Sequence, residues 1–325
     1  LLTPLTGLRR SAAGLLALLC AVLLAPPAFA EPDTLGLGTG RNGVLTVNAA
    51  NTIVNTYTRL TATANAGATS VTVTSTAGFA AGDLVMVYQS TGLTAVAIGS
   101  QTAIDLSTAQ VGRWQFARVL SLTGTTRLNF VAGTTLTQAF TVGTTANLAA
   151  QVLRVPEYQS VTVNAGASIV AAPWDGQVGG LVVFLSQGAV NNAGAISANG
   201  MGFRGGLYRN GNGDGCTGIN QAYPGGTSKG EGVVPGNFSI AGVPPTNTTG
   251  YGNVGNAGGG GICHNSGGGG GGAAGAGGRG GRTWSGDNGG GASASRDVGG
   301  LGGVPMNFSA VDHLLFGGGG GAGHS

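Results

Sequence analysis

The sequence predicts an all-β architecture, and three observations carry that expectation. Short runs rich in Val, Thr and aromatic residues recur through the first half with turn clusters between them. Two later segments echo each other as an apolar run, an Asn-Ala-Gly turn and a second apolar run. No segment sustains the 3.6-residue apolar spacing of an amphipathic helix, although 102–111 admits one short helical turn. Four parts are expected: a signal peptide at 1–30, a small β-barrel-like module at 31–156, a short parallel β-solenoid at 157–200, and a glycine-rich insertion at 201–325.

The first part is a leader. Arg9 and Arg10 form its positive end, 12–24 its apolar stretch, and Ala28-Phe29-Ala30 a small-x-small cleavage site, so the mature chain is expected to begin at Glu31. An apolar stretch that short falls below the roughly 20 residues of a bilayer span. No membrane span is therefore expected after cleavage. Cys20 follows Leu19 rather than a small residue, which speaks against lipid modification; the Arg pair leaves the Sec and Tat routes both open.

In the second part the strand-like runs are 44–48, 52–58, 70–75, 84–89, 115–122, 127–131 and 151–155. Within 68–88 a β-run leads into Ala77-Gly78-Phe79, then a Gly82-Asp83 turn and a second β-run. That order resembles a small barrel module found in phage tail proteins and secreted bacterial β-proteins, which implies that Phe79 buries its ring and Asp83 caps the turn. In the third part, 161–169 is echoed by 190–196, and 181–185 is a continuous β-run between them. Recurring short strands broken by Asn and Gly turns mark a parallel solenoid, with Asn residues aligned at the corners.

In the fourth part about a third of all residues after Trp174 are glycine, in runs such as 267–272 and 317–321. Glycine supplies no side chain for chemistry and loses the most backbone entropy on ordering. Collagen is excluded, because glycine does not recur at every third position. A flexible linker is one reading. The other is a bundle of extended three-residue-per-turn glycine helices bonded laterally through the backbone. Interleaved aromatics and the low charge favour the second.

Two cysteines remain after cleavage, Cys216 and Cys263, and an even pair in an exported chain reads as one disulfide. Closing that loop would stabilise by about 4 kcal/mol in the chain-entropy model. The competing reading, metal ligation beside His264, lacks further ligands at regular spacing; His313 and His324 are distant. No metal and no cofactor are expected. Without Arg9 and Arg10, twelve basic residues face eleven acidic ones, so the mature chain is nearly neutral and nucleic acid is not an expected partner.

No catalytic constellation stands out. Asp175 in Pro173-Trp174-Asp175-Gly176 lies beside an aromatic that could stack on a sugar, but the tetrad is also a common turn. Asn212-Gly213-Asp214-Gly215 lacks the repeat or later glutamate of a calcium loop. Gly-x-Gly-x-x-Gly matches arise by chance in such composition and signal no nucleotide. Trp174 and Trp284 are the expected surface contacts.

The chain resembles the large secreted glycine-rich surface proteins of gliding bacteria, of the adventurous gliding motility or glycine-rich adhesin type. The resemblance rests on GLGTGRNG at 36–43, the barrel-like 68–88, VPEYQSVTV at 155–163, APWDG at 172–176, GFRGG at 202–206 and GGGGICHN at 258–265. Over the glycine run alone it also looks like the ectodomain of certain receptor kinases. It implies a longer exported protein that is non-catalytic, structural or adhesive, secreted or on the cell surface. Its partners would be cell-surface or extracellular-matrix components, polysaccharide included. The alternative is the targeting module of a β-helix carbohydrate-active enzyme with its catalytic part beyond Ser325.

Overall fold

The computed structural model describes residues 36–94, 96–143, 148–208, 218–219, 226–235, 249–262, 265–282 and 299–324, all within one unit, Asp33–Ser325. The signal peptide, Cys216, Cys263, His264, Trp284 and the Asn212–Gly215 tetrad lie outside the described residues. The described residues contain strands and no helix.

Strands β1 (Val44–Val47), β2 (Thr56–Arg59), β3 (Ser70–Thr72), β4 (Leu84–Gln89) and β5 (Ile104–Asp105) come first. β6 (Trp114–Thr123), β7 (Arg127–Phe130), β8 (Ala150–Val155), β9 (Glu157–Tyr158) and β10 (Ser160–Val163) follow. β11 (Ser168–Val170), β12 (Leu185–Ser186), β13 (Val190–Asn192), β14 (Ala195–Ser197) and β15 (Met306–Asn307) complete the order.

Six of them form an antiparallel sheet in the order β2-β8-β4-β6-β7-β3. It curls until its two outer strands meet at the Leu60–Val73 bridge. The inner face is lined by Leu60, Val71, Val85, Val87, Val119 and Phe140, with Phe79 buried among them as expected. Asp83 caps the turn that delivers Phe79: its Oδ2 accepts from the Ala80 amide at 2.7 Å. β4 is buried along its whole length because both its faces are covered. Val85 and Val87 point inward; Leu84, Met86 and Tyr88 point outward into a second core. That second core draws Val233, Val254, Val304, Met306 and Phe316 from the glycine-rich part.

The echo in the sequence is a stacking register. β1, β10 and β13 pair in parallel, Leu45 beside Val161 and Val161 beside Val190. β11 and β14 pair in parallel, Ile169 beside Ile196, and Thr52 bridges Ile169 from the other side. One side-chain amide pair joins corners, Asn164 Nδ2 donating to Asn48 Oδ1 at 2.6 Å. β1 thus belongs with β10 although the sequence placed it in the 31–156 module. The curled sheet is inserted between the first parallel layer and the second.

Two sequence expectations are corrected. The 181–185 run forms a strand only from Leu185, because the backbone of Val183 bonds the side chain of Asn55 instead of a neighbouring strand (3.1 and 2.6 Å). The 102–111 segment makes no helical turn; Ile104 and Asp105 pair with Met306 and Asn307, while Leu106 and Val111 are fully buried.

In the glycine-rich part, extended segments bond sideways with a repeat of three residues. Gly258 and Gly261 donate to Gly319 and Ala322 (2.9 and 2.8 Å); Gly318, Gly321 and His324 donate to Gly272, Gly269 and Ser266 (2.7, 2.7 and 2.9 Å). Gly277 and Gly280 donate to Gly303 and Gly300, both at 2.8 Å. That period is the one an extended glycine helix presents to its neighbours. Beyond Gly255 no described glycine has a positive φ. What these positions need is the missing Cβ: one added at Gly258, Gly259 or Gly268 would lie under 3.0 Å from a neighbouring carbonyl oxygen.

The curled sheet and the parallel layers meet at Glu157. Its carboxylate is fully buried, receives both terminal nitrogens of Arg118 and accepts from the Thr39 amide at 2.8 Å. Burial pushes its pKa up, but those hydrogen bonds and the Arg118 charge outweigh it, so the group sits below its ordinary value of 4.5.

Two outcomes are expected. Gly258→Ala should destabilise by about 1–3 kcal/mol or more, whereas Gly278→Ala, with no atom near its added Cβ, should be neutral or slightly stabilising; chemical unfolding compares them. Glu157 contributes stability that is present above pH 4.5 and lost as pH falls through its lower folded value. Glu157→Gln should therefore flatten the acid limb of the stability–pH curve, at a cost of about 3–5 kcal/mol near neutrality.

Candidate functional site

The outward face of the curled sheet holds three polar side chains that fasten the segments crossing it. On β2, the Tyr57 hydroxyl donates to the Leu181 carbonyl at 2.5 Å. On β8, Gln151 donates through Nε2 to the Gly179 carbonyl and accepts the Gly179 amide at Oε1 (3.0 and 2.9 Å). On β4, the Tyr88 hydroxyl donates to the Leu314 carbonyl at 2.9 Å. Burial raises both tyrosine pKa values, that of Tyr57 to about 12, so both remain donors at any physiological pH. Strand alternation explains the placement of two of them: Tyr88 and Gln151 alternate with the inward-facing Val87 and Val152.

The segments so fastened enclose a groove of about 470 Å³. Leu181, Leu314 and Leu315 form its apolar walls, and Gly200, Gly202 and Gly317 expose main chain along it. Phe203 and Phe316 also line it and pack edge-on to each other, and Trp174 behind them completes the cluster, with centroids 5.9, 5.5 and 5.1 Å apart. Trp174 is only 2% exposed, which corrects the expectation of a surface contact. Its ring is spent on the core because the next residues turn tightly: Asp175 Oδ1 accepts the amides of Gln177 and Val178, both at 2.8 Å. Asp175 is thus a turn residue, and its carbonyl accepts from Arg204 at 2.8 Å.

Each described acid has a comparable engagement. Asp83 lies between Arg41 and Arg154 (3.5 and 3.3 Å). Asp105 caps Ser107 at 2.9 Å. Glu231 is fully buried against Arg204, which reaches it through its backbone amide and its guanidinium. Asp312 holds the buried His313 at 2.8 Å, and the other ring nitrogen of His313 meets the Ala109 carbonyl at 3.2 Å. His324 is buried at the far end of its glycine segment. Among the described residues no three His, Cys, Asp or Glu side chains converge as a metal site.

Lys229 escaped the sequence reading. It is fully buried, and its ammonium donates to three main-chain carbonyls, Ile219 at 2.7 Å, Gly250 at 3.0 Å and Gly252 at 2.5 Å. In a bundle of bare backbone its amino group gathers carbonyls from two segments. Burial lowers its pKa from 10.5 to about 7. As the only lysine in the chain it was visible in the composition, but nothing local to it signals burial.

No protein-family model matches the chain, and no curated protein matches it. Parts of it align with solved tailspikes. One is gp61 of Pseudomonas phage phi297, at 13% identity and TM-score 0.22 over 51% of this chain and 27% of that one. Another is gp49 of Pseudomonas phage LKA1, at 12% and 0.22 over 40% and 27%. A third is the Gp54 tailspike of Acinetobacter baumannii bacteriophage AP22, solved with A. baumannii capsular saccharide, at 10% and 0.24 over 52% and 29%. The chain spans less than a third of the length of these tailspikes, and likeness at this level assigns no function. Among the described residues no helix is long and apolar enough to cross a membrane.

The Lys229 shift has a definite sign. Because the folded value of about 7 lies below the ordinary 10.5, its contribution to stability is full above pH 10.5 and lost as pH falls through 7. The stability of the wild type relative to Lys229→Met should thus rise between those limits. Denaturant unfolding at a series of pH values checks it, and a flat difference would contradict the burial.

Proposed function

We propose that this protein is a non-catalytic, exported structural or adhesive component of a bacterial cell surface. The observation that carries the reading is the lateral, three-residue hydrogen bonding of the glycine segments, packed on the outward face of the curled sheet. It ties the described glycine segments to one another, an arrangement suited to presenting a surface. The engagement of each described carboxylate in a cap or an ion pair supports the same reading.

In this reading the parallel layers β1-β10-β13 are the start of a short solenoid, and the glycine-rich part is an insertion upon it. The leader at 1–30 directs export, and Cys216 with Cys263 close a disulfide. Cell-surface or matrix components, polysaccharide among them, are the partners. The resemblance to the glycine-rich surface proteins of gliding bacteria points the same way.

Expression in a bacterial host with its leader intact tests the proposal. The chain should be recovered outside the cytoplasm with Glu31 at its N-terminus, should gain mobility on a non-reducing gel relative to Cys216→Ser, and should leave capsular and cell-wall polysaccharides uncut. Cytoplasmic retention would overturn export, and release of oligosaccharides would favour the carbohydrate-active alternative.

A further inference from the structure

The groove beside the third parallel layer has the make-up of a ligand site. Its volume of about 470 Å³ falls within the usual range for small-molecule sites. Both sides are held from beneath, Leu181 by the Tyr57 hydroxyl and Leu314 by the Tyr88 hydroxyl. The Trp174–Phe203–Phe316 cluster stiffens the back. Such a groove exists before its ligand arrives, which lowers the ordering cost of binding.

Its chemistry is mixed in a particular way. Its walls are leucine and phenylalanine with Asn199 as the one polar side chain, and no charged residue lines it. The main-chain amides of Gly200, Gly202 and Gly317 make no hydrogen bond with the described residues, and Gly200 and Gly317 are exposed. These donors come from two separate segments, so they do not form the continuous edge that a peptide strand would extend. An occupant must offer apolar C–H faces to the leucines and scattered hydroxyl acceptors to the amides, without bearing charge.

We propose that this groove binds an uncharged saccharide unit, one or two pyranose rings of a neutral glycan. The inference rests on the surface-contact reading above and names the place and class of that contact. Leu181 and Leu314 stack on ring C–H faces, and the glycine amides donate to ring hydroxyls.

Gly317 offers a clean block. A Cβ built there meets no atom within 4 Å, and its φ is not positive, so Gly317→Leu can be accommodated while filling the groove. Gly278→Leu, on an equally open position of another segment, is the control. Leu181→Asn removes a wall without filling the space. Binding of neutral and acidic glycans to the full exported chain is measured on an array and then by calorimetry, with thermal melting of each variant alongside. The wild type and Gly278→Leu should bind a neutral glycan, and Gly317→Leu and Leu181→Asn should bind it at least tenfold more weakly with unchanged melting. Equal binding by both groove variants would overturn this site and leave the surface reading standing. Selectivity for acidic glycans would overturn the ligand class. If the wild type bound no glycan, the groove proposal would fall, while export and surface location would still be decided by fractionation.

Discussion

The approach of backbone to backbone without intervening Cβ atoms is the constraint on which the rest of this molecule depends. Amides repeating every third residue reach carbonyls on neighbouring segments, and an added methyl at most inner positions would strike one of those carbonyls. The arrangement satisfies buried main-chain groups that would otherwise be costly. It yields little apolar burial, however, since glycine has nothing to bury. The bundle therefore borrows a core. Val233, Val254, Val304, Met306 and Phe316 pack on the outward side of a sheet whose inward side is already filled.

That borrowing explains why β4 is apolar on both faces and why Tyr57, Tyr88 and Gln151 project where they do. A strand between two cores has no solvent side, so its neighbours must spend any polar atoms on the segments laid over them. Their hydroxyls and amide fix the Gly179–Leu181 and Leu314 backbones, and the groove follows from that fixing. Glu157 with Arg118 plays the corresponding part between sheet and parallel layers. Lys229 does so within the glycine segments, where its amino group joins main-chain carbonyls of two segments.

Much of the β framework was legible because its signals are local. Alternation and turn chemistry place β4, β6, β7 and β8 to within a residue or so, and Phe79 and Asp83 take the roles their motif implies. The echo of 161–169 in 190–196 is a physical register, since residues stacked in parallel face the same environment at the same position. Trp174 was misread for the converse reason. A tryptophan beside a turn looks exposed until one knows that Phe203 and Phe316, far along the chain, close over it.

By itself, then, the sequence determined the all-β class, the positions of most strands and the repeat that stacks. Those properties follow from short-range backbone preference and from composition. Only the tertiary structure decided that β1 joins β10 across the whole inserted sheet, that the glycine segments bond to one another, and where Lys229, Trp174 and the groove lie. Each of these depends on which distant backbone comes within hydrogen-bonding reach, and glycine, having no side chain, writes no pairing code into the sequence.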